Sequence, residues 1–210
     1  MNFFVNYYIS EKRQAEIDEC LQRNIENPLI EQIFVLADRF IFFNDPKVIL
    51  LQLSYRPTFQ DFIDLTYASD GINIIANSDI YFDDTLELAN EIGKNEVYAL
   101  SRWELTNEGL KHHNTRDSQD CWIINGNLNT SDCDFTQGLA GCDNAFTERL
   151  KWAGYKVSNP SKDIRSIHLH KNPRRDYDVQ DRVSLPYLLI SPHKLGEEPV
   201  LQRLIKPYWK

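Results

Sequence analysis

The sequence predicts a mixed α/β fold with a largely parallel central sheet flanked by helices. Two observations predict it. Short apolar runs typical of buried strands alternate at least twice with amphipathic helical stretches in the first half of the chain. The chain has 210 residues, of which 42% are hydrophobic and 12% aromatic, which is enough for one sizeable core. Strand–helix–strand units form right-handed crossovers that leave their strands parallel, so we expect one α/β domain over residues 1–210.

The first half contains four predicted strands and two predicted helices. The aromatic and β-branched residues 2–9 indicate a first buried strand. Ser10 is placed to cap a helix whose apolar positions run from Ala15 to Ile25. Pro57 suits the first turn of a second helix, through residue 67. The other strands are short apolar runs at residues 33–36, 48–51 and 72–76.

The second half of the chain has longer polar stretches between its predicted elements. A polar loop, residues 106–119, has too few apolar residues to pack and is a candidate mobile lid. The tail from Asp176 has prolines and little periodicity, so we expect it to wrap the surface. The predicted strands are residues 97–105, 121–124 and 164–170, and the predicted helix is residues 144–152.

Charge and composition exclude several classes of protein. The formal net charge is -8, which argues against a surface that neutralises nucleic-acid phosphates. No run of about 18 apolar residues is present, so we expect no membrane span. The four cysteines form no CxxC pair, and a chain of this length does not need disulfides. We therefore expect reduced thiols and a cytoplasmic protein.

A carboxylate follows the buried strand at residues 72–76, where the sequence continues as Asn77-Ser78-Asp79. Ligands of open α/β sheets gather at the carboxyl ends of strands, and a buried carboxylate needs a partner or a metal. Oxygen ligands of this kind suit Mg²⁺ or Mn²⁺. The alternative is that Asp79 caps a helix that begins near Asp83.

The stretch from Arg56 to Asp84 resembles the GT-A family of nucleotide-sugar glycosyltransferases, in which a helix leads into a strand that ends in a DxD metal motif. The first Asp of that motif is replaced by Asn77, so only Asp79 carries over as a metal ligand. The resemblance implies a GT-A fold with a Rossmann-like, nucleotide-binding half over residues 1–84. It implies a sugar and acceptor half over residues 85–175, followed by a surface tail over residues 176–210.

A second segment, residues 138–157, is similar to the GEDxDxxxRLxxxGY segment of the same family. In inverting members the acidic residue of this segment is the general base, and it corresponds to Asp143. The alternative is that Asp143 or Asn144 caps the following helix, with Gly141 adopting an unusual backbone angle. A helix N-terminus lowers the pKa of a carboxyl group and so weakens it as a base.

The third match is a His-x-His pair in the last predicted strand. His168 and His170 point to one face because side chains alternate along a strand. Many GT-A enzymes place a metal-binding histidine here, and Lys171 and Arg174 follow as candidate phosphate contacts. The alternative is an ordinary surface pair of histidines.

The resemblance also suggests contacts to the donor and to the acceptor. Tyr7 or Tyr8 could stack on the base, with Arg56, Asn77 and Ser78 near the nucleotide, although either tyrosine could belong to the core. Sugar sites combine an aromatic face with charged hydrogen-bonding groups. The candidates for sugar or acceptor contacts are Arg102, Trp103, Glu104, Asp117, Asp120 and Trp122. A buried tryptophan with a surface Arg–Glu pair explains the first three equally well.

Taken together, the resemblance implies an Mn²⁺- or Mg²⁺-dependent transfer of a hexose from a UDP-sugar to a glycan or glycoprotein acceptor, with inversion. The chain also resembles viral glycosyltransferase domains of capsid-glycan synthesis, which would place it in the host cytoplasm. Two rivals stay open. A sugar-phosphate nucleotidyltransferase would need a Gly-rich basic segment near the first strand, which residues 7–11 lack. A non-catalytic carbohydrate-binding domain would not need Asp79, His168 and His170 in one site.

Overall fold

The computed structural model describes residues 1–169 and 181–206. These residues form three helices, one 3-10 helix and thirteen strands. The helices are α1 (Gln14–Glu26), α2 (Phe59–Thr66) and α3 (Cys142–Trp152), and the 3-10 helix is Asp84–Glu91. The strands of the first half are β1 (Asn2–Asn6), β2 (Gln32–Ala37), β3 (Val48–Gln52), β4 (Ile72–Ala76) and β5 (Ile80–Phe82). The later strands are β6 (Glu96–Leu100), β7 (Arg102–Thr106), β8 (Gly109–His112), β9 (Cys121–Asn125), β10 (Lys156–Ser158), β11 (Ser166–His168), β12 (Tyr187–Ile190) and β13 (Leu201–Leu204).

The central sheet has seven strands in the order β10-β6-β9-β4-β1-β2-β3. All neighbouring strands are parallel except β9, which runs antiparallel to both β4 and β6. The amino end of β9 therefore lies at the same edge of the sheet as the carboxyl ends of β1 and β4. This edge is where an open α/β sheet offers a ligand site.

The core lies on both faces of this sheet. Phe3 and Phe4 are adjacent in β1, point to opposite faces and are both fully buried. On the face of Phe3, α1 contributes Ile17, whereas Phe146 of α3 packs on the face of Phe4. Burial of one such side chain stabilises the fold by about 1.5–3 kcal/mol, so both layers contribute substantially.

A second sheet of four strands, in the order β5-β11-β7-β8, stands beside the first. β11 is its centre and pairs antiparallel with β5 and parallel with β7. Because β5 follows the end of β4 after three residues, this small sheet begins at the carboxyl edge of the large one.

The prediction of one strand over residues 97–105 is wrong. The chain leaves the large sheet at Ser101 and continues in the small one. The break is stabilised by Asn159, whose Oδ1 accepts from the Ser101 N–H at 3.0 Å and whose amide donates to the Ser101 hydroxyl at 2.8 Å. The polar stretch 106–119, predicted as a loop, contains β8.

The prediction of a surface tail is also wrong for part of the C-terminal segment. All four residues of β12 are buried, and β12 pairs with β13 and packs on α3. The four cysteines are buried free thiols, as expected. Within residues 1–169 and 181–206, no helix combines the length and apolar character that crossing a membrane requires.

Candidate functional site

Asp79 lies buried three residues after β4, at the carboxyl edge of the large sheet. Its carboxylate pairs with the guanidinium of Arg13 and lies 3.0 Å from Nε2 of His168. The 3-10 helix is capped by Asp83, whose side chain accepts from the N–H of Thr85. Asp79 is therefore part of a charged cluster and does not cap that helix.

His168 is held between two carboxylates by the register of β11. Its Cα pairs with Glu104 of β7 on one side and with Ile80, the neighbour of Asp79, on the other. Nδ1 of His168 lies 2.8 Å from Oε2 of Glu104, while Nε2 faces Asp79. Arg102, two residues before Glu104 and on the same face, donates from Nε to Glu104 Oε1 at 2.6 Å.

The pKa values of this group follow from burial and pairing. Burial opposes the charge of His168, but hydrogen bonds to Asp79 and Glu104 outweigh it and raise its pKa to about 9. Burial opposes ionisation of Asp79 as well, yet His168 and Arg13 hold the pKa of that carboxyl well below its usual range. For Glu104 burial is likewise outweighed, by hydrogen bonds to His168 and Arg102, and the pKa falls to about 2.

Asp120 connects this group to the end of β4. It is buried immediately before β9, and its Oδ1 accepts from the amide of Asn77 at 3.2 Å. Its carboxylate also receives the Ser118 hydroxyl at 2.7 Å and Arg102 Nη1 at 3.3 Å. Asn77 and Asp120 therefore lie together at the sheet edge, as the reversed direction of β9 requires.

Asp143 is the second residue of α3, and the N-cap of that helix is Gly141, with a φ of 77°. Burial and the negative charge of Asp120 raise the pKa of Asp143 to about 8, although Cys142 donates to its carboxylate and Arg102 opposes the shift. The expectation of a lowered pKa at this helix terminus is therefore wrong, because burial and the like charge of Asp120 raise it. The special backbone angle expected at Gly141 is confirmed.

Two adjoining hollows of about 110 and 310 Å³ open beside Asp79. Both are lined by Tyr8, Arg13 and Arg56, and the smaller one also by Asn77 and Ser78. Arg56 donates to the carbonyl of Gln137, which holds its guanidinium in place. Tyr7, in contrast, belongs to the core and donates its hydroxyl to Asp18, so Tyr8 is the tyrosine that faces the hollows.

The two tryptophans among the candidate sugar contacts, Trp103 and Trp122, lie outside the cluster. Trp122 is fully buried between Phe59 and Phe146, and its indole N–H donates to Thr147 at 2.9 Å. It therefore has no surface to offer a sugar. Trp103 lies between Arg102 and Glu104 in β7, so its side chain points to the opposite face, where it stacks on His112.

Asp117 is exposed and lines a different hollow, of about 760 Å³, together with Arg116 and Lys162. The segment from Asp117 to Asp120 connects this hollow to the charged cluster. His170, Lys171 and Arg174 lie outside the described residues.

A divalent metal would find two protein ligands at this edge. Nε2 of His168 and the carboxylate of Asp79 face each other, and Glu104 holds Nδ1, which leaves Nε2 of the neutral imidazole as the donor atom. In the described part of the chain, no three His, Cys, Asp or Glu side chains surround one metal position. The donor set thus fits an ion such as Mg²⁺ or Mn²⁺ whose remaining ligands come from substrate phosphates and water.

Arg13 is the member of the cluster that sequence reasoning missed. It lies at the start of α1, seven residues after β1, and reaches Asp79 because the carboxyl ends of β1 and β4 are adjacent. A basic residue at the start of the helix that follows the first strand, near a predicted ligand edge, is a signal that could have found it.

Comparison with known proteins finds no matching family model and no matching curated protein. Solved structures do match. The mannosyltransferase PcManGT from Pyrobaculum calidifontis, in complex with GDP-Man and Mn²⁺, aligns with a TM-score of 0.53 at 15% identity, over 84% of this chain and 58% of that one. S. aureus TarS 1-349, in complex with UDP-GlcNAc, aligns with a TM-score of 0.52 at 13% identity, over 83% of this chain and 59% of that one.

The 2-C-methyl-D-erythritol 4-phosphate cytidylyltransferase (IspD) of Francisella tularensis aligns less well, with a TM-score of 0.45 at 12% identity, over 86% of this chain and 95% of that one. The chain spans less than three fifths of the length of the two glycosyltransferase structures. At these identities the likeness concerns the fold, which hosts more than one chemistry. The protein has the GT-A type α/β fold of nucleotide-sugar transferases.

Proposed function

We propose that the protein is a metal-dependent glycosyltransferase that moves a hexose from a UDP-sugar to a hydroxyl of a glycan or glycoprotein acceptor, with inversion. The observation that carries the proposal is the meeting of Asp79, His168, Asp120 and the base candidate Asp143 at one edge of a GT-A type sheet. The four residues come from four separate segments of the chain. A nucleotidyltransferase remains the second candidate by fold, but no residue of this cluster favours it.

The donor is proposed to bind in the hollows beside Asp79. Tyr8 supplies an aromatic face, and Arg13 and Arg56 supply positive charge for the phosphates. A bound Mn²⁺ or Mg²⁺, held by Asp79 and His168, would neutralise charge on the diphosphate leaving group. The Mn²⁺ and GDP-Man of the mannosyltransferase complex support a metal and a nucleotide sugar in general.

Asp143 is proposed to act as the general base. The oxygen of the acceptor hydroxyl attacks the anomeric carbon, and the bond from that carbon to the phosphate oxygen breaks with its electron pair on phosphate. The hydroxyl proton passes to the ionised carboxylate of Asp143. A carboxyl group with a raised pKa is a stronger base than an ordinary aspartate, once it is ionised.

Arg102 and Asp120 are proposed to face the transferred sugar, since Arg102 hydrogen-bonds both Asp120 and Glu104, and the charges of Arg102 and Asp120 both act on Asp143. The 760 Å³ hollow at Asp117 is the proposed acceptor site, because it adjoins the cluster through residues 117–120 and is large enough for more than one sugar ring. Its cationic residues Arg116 and Lys162 favour a polar or acidic acceptor.

Calorimetric titration of UDP, GDP and CMP, each with and without Mn²⁺, tests the donor class, and a screen of nucleotide-sugar hydrolysis follows. Asp143→Asn tests the base. We expect nucleotide binding to survive and transfer to fall by about 10²–10⁴-fold, the usual share of general-base catalysis. Asp134→Asn, in the exposed loop before α3, is the matched control. Normal turnover in Asp143→Asn, or retention at the anomeric carbon, would remove Asp143 from this role.

A further inference from the structure

Arg13 forms an unusual bridge between two carboxylates. Its guanidinium pairs through Nη2 with Asp79 and through Nε with Glu16 Oε2, the latter at 3.1 Å. The Arg13 side chain is only 20% exposed, and Glu16 is buried. Charge-assisted hydrogen bonds of this kind are stronger than neutral ones, so the guanidinium is firmly held.

The oxygen that Arg13 contacts is the one that a metal needs. Oδ2 of Asp79 accepts from Nη2 of Arg13 and lies 3.0 Å from Nε2 of His168. A divalent cation that binds Oδ2 must therefore compete with a positive charge already placed there. The local charge of this carboxylate is neutralised within the protein itself.

Arg13 also lines both hollows beside Asp79, as Arg56 does. A diphosphate that enters the hollows meets these two guanidinium groups. The phosphate oxygens offer Arg13 the same bidentate geometry as a carboxylate. A small movement of the side chain would therefore exchange Asp79 for phosphate and expose Oδ2 at the same time.

We propose that Arg13 is an internal counter-ion that withholds Asp79 from divalent cations until a nucleoside diphosphate group arrives and takes over the guanidinium. The inference rests on the proposed function. It makes metal binding and nucleotide binding cooperative, and by linkage each ligand must raise the affinity for the other by the same factor. Arg13 thus keeps divalent cations from binding Asp79 in the absence of donor.

The experiment compares Mn²⁺ binding, by calorimetry and by the electron paramagnetic resonance signal of free Mn²⁺, in wild type and Arg13→Gln. We expect wild type to bind Mn²⁺ alone weakly and to bind it at least tenfold more tightly with saturating UDP. Arg13→Gln is expected to bind Mn²⁺ alone at least tenfold more tightly than wild type, with the gain from UDP largely lost. Arg23→Gln, on the same helix but paired with Glu19 and not with Asp79, should behave as wild type.

Removal of Arg13 leaves the buried Glu16 without this partner, which could impair folding. The pair Glu16→Gln and Arg13→Gln/Glu16→Gln repeats the comparison without that charge. Equal Mn²⁺ affinity with and without Arg13 in both backgrounds would overturn the inference. Failure of UDP and GDP to bind under any condition would instead count against the proposed function, while the comparison with Mn²⁺ alone would still decide the role of Arg13.

Discussion

The imidazole of His168 and the carboxylate of Glu104 are joined by a hydrogen bond of 2.8 Å between Nδ1 and Oε2. This bond determines which nitrogen faces Asp79, because the N–H at Nδ1 is directed to Glu104 and Nε2 remains for a metal. A carboxylate behind a metal-binding histidine also fixes the ring orientation and raises its basicity. For the metal site proposed above, the pair therefore has a measurable consequence.

Glu104→Gln is expected to weaken Mn²⁺ binding in the presence of UDP by about 10–100-fold, the usual effect of removing such a partner. Glutamine keeps the shape but removes the charge that orients and polarises the ring. Calorimetric titration of Mn²⁺ measures the change. Glu108→Gln, in the exposed turn between β7 and β8, is the control. Equal affinities in wild type and Glu104→Gln would contradict this role of Glu104.

Mn²⁺ binding is expected to release a proton from His168 and to strengthen with rising pH. The pKa of His168 is raised to about 9, so the imidazole is protonated at neutral pH and must lose the proton before Nε2 can bind a metal. Affinity should rise up to about pH 9 and then level off. Titration in buffers of different ionisation enthalpy counts the released proton. If wild type released no proton on binding Mn²⁺, this would argue against His168 as a ligand.

Asp143→Asn is expected to change the pH dependence of stability. The pKa of Asp143 is raised to about 8, above the value in the unfolded chain, so its contribution is fully present below about pH 4 and is lost as pH rises to about 8. Asparagine cannot ionise and avoids this loss. The free energy of unfolding of the variant, relative to wild type, should therefore increase from pH 4 to pH 8. Denaturant titrations at several pH values measure it, and a constant difference would refute the raised pKa.

Gly141→Ala is expected to destabilise the fold by about 2–4 kcal/mol. Its φ of 77° disfavours a side chain, and a Cβ at this position would collide with the hydroxyl of Tyr187. Gly196→Ala is the matched control, since Gly196 has a φ of 78° but no neighbour within 4 Å of an added Cβ. Gly196→Ala should lower the free energy of unfolding by about 1–2 kcal/mol, which is the cost of the strained backbone alone. Thermal and denaturant unfolding compare the two, and equal losses would show that contact with Tyr187 is unimportant.

The local elements of the fold could be predicted from the sequence. The strand at residues 72–76 has the predicted bounds, because a largely apolar run between Gly71 and Asn77, interrupted only by Asn73, leaves little ambiguity. The break at Ser101 could not be predicted, since the partner that stabilises it, Asn159, is 58 residues away. β12 was missed because a buried strand of four residues carries no periodicity and depends on packing against α3 and β13.

In the candidate site, too, some features could be predicted from the sequence and others could not. Asp79 was a candidate from its position after a strand, Asp143 and His168 from the family resemblance, and Asp120 from its place beside the polar loop. The structure brings all four together. Trp103 was grouped with Arg102 and Glu104 by proximity in sequence, although strand alternation already separates it from them. The donor, the acceptor, the division of residues 1–210 into functional halves, the viral resemblance and the cytoplasmic location stay predictions.

The three-residue strand β11 has a consequence for how this sequence can change in length. A slip of one residue against β5 and β7 would put the aliphatic side chain of Ile167 or Leu169 where the imidazole of His168 now lies. An insertion in residues 159–165 is therefore compatible with the site only if the loop absorbs every added residue and leaves the phase of β11 unchanged. The register of β11 therefore decides which side chain reaches this edge. The number of residues between the strands constrains the evolution of the site as much as the identity of those residues does.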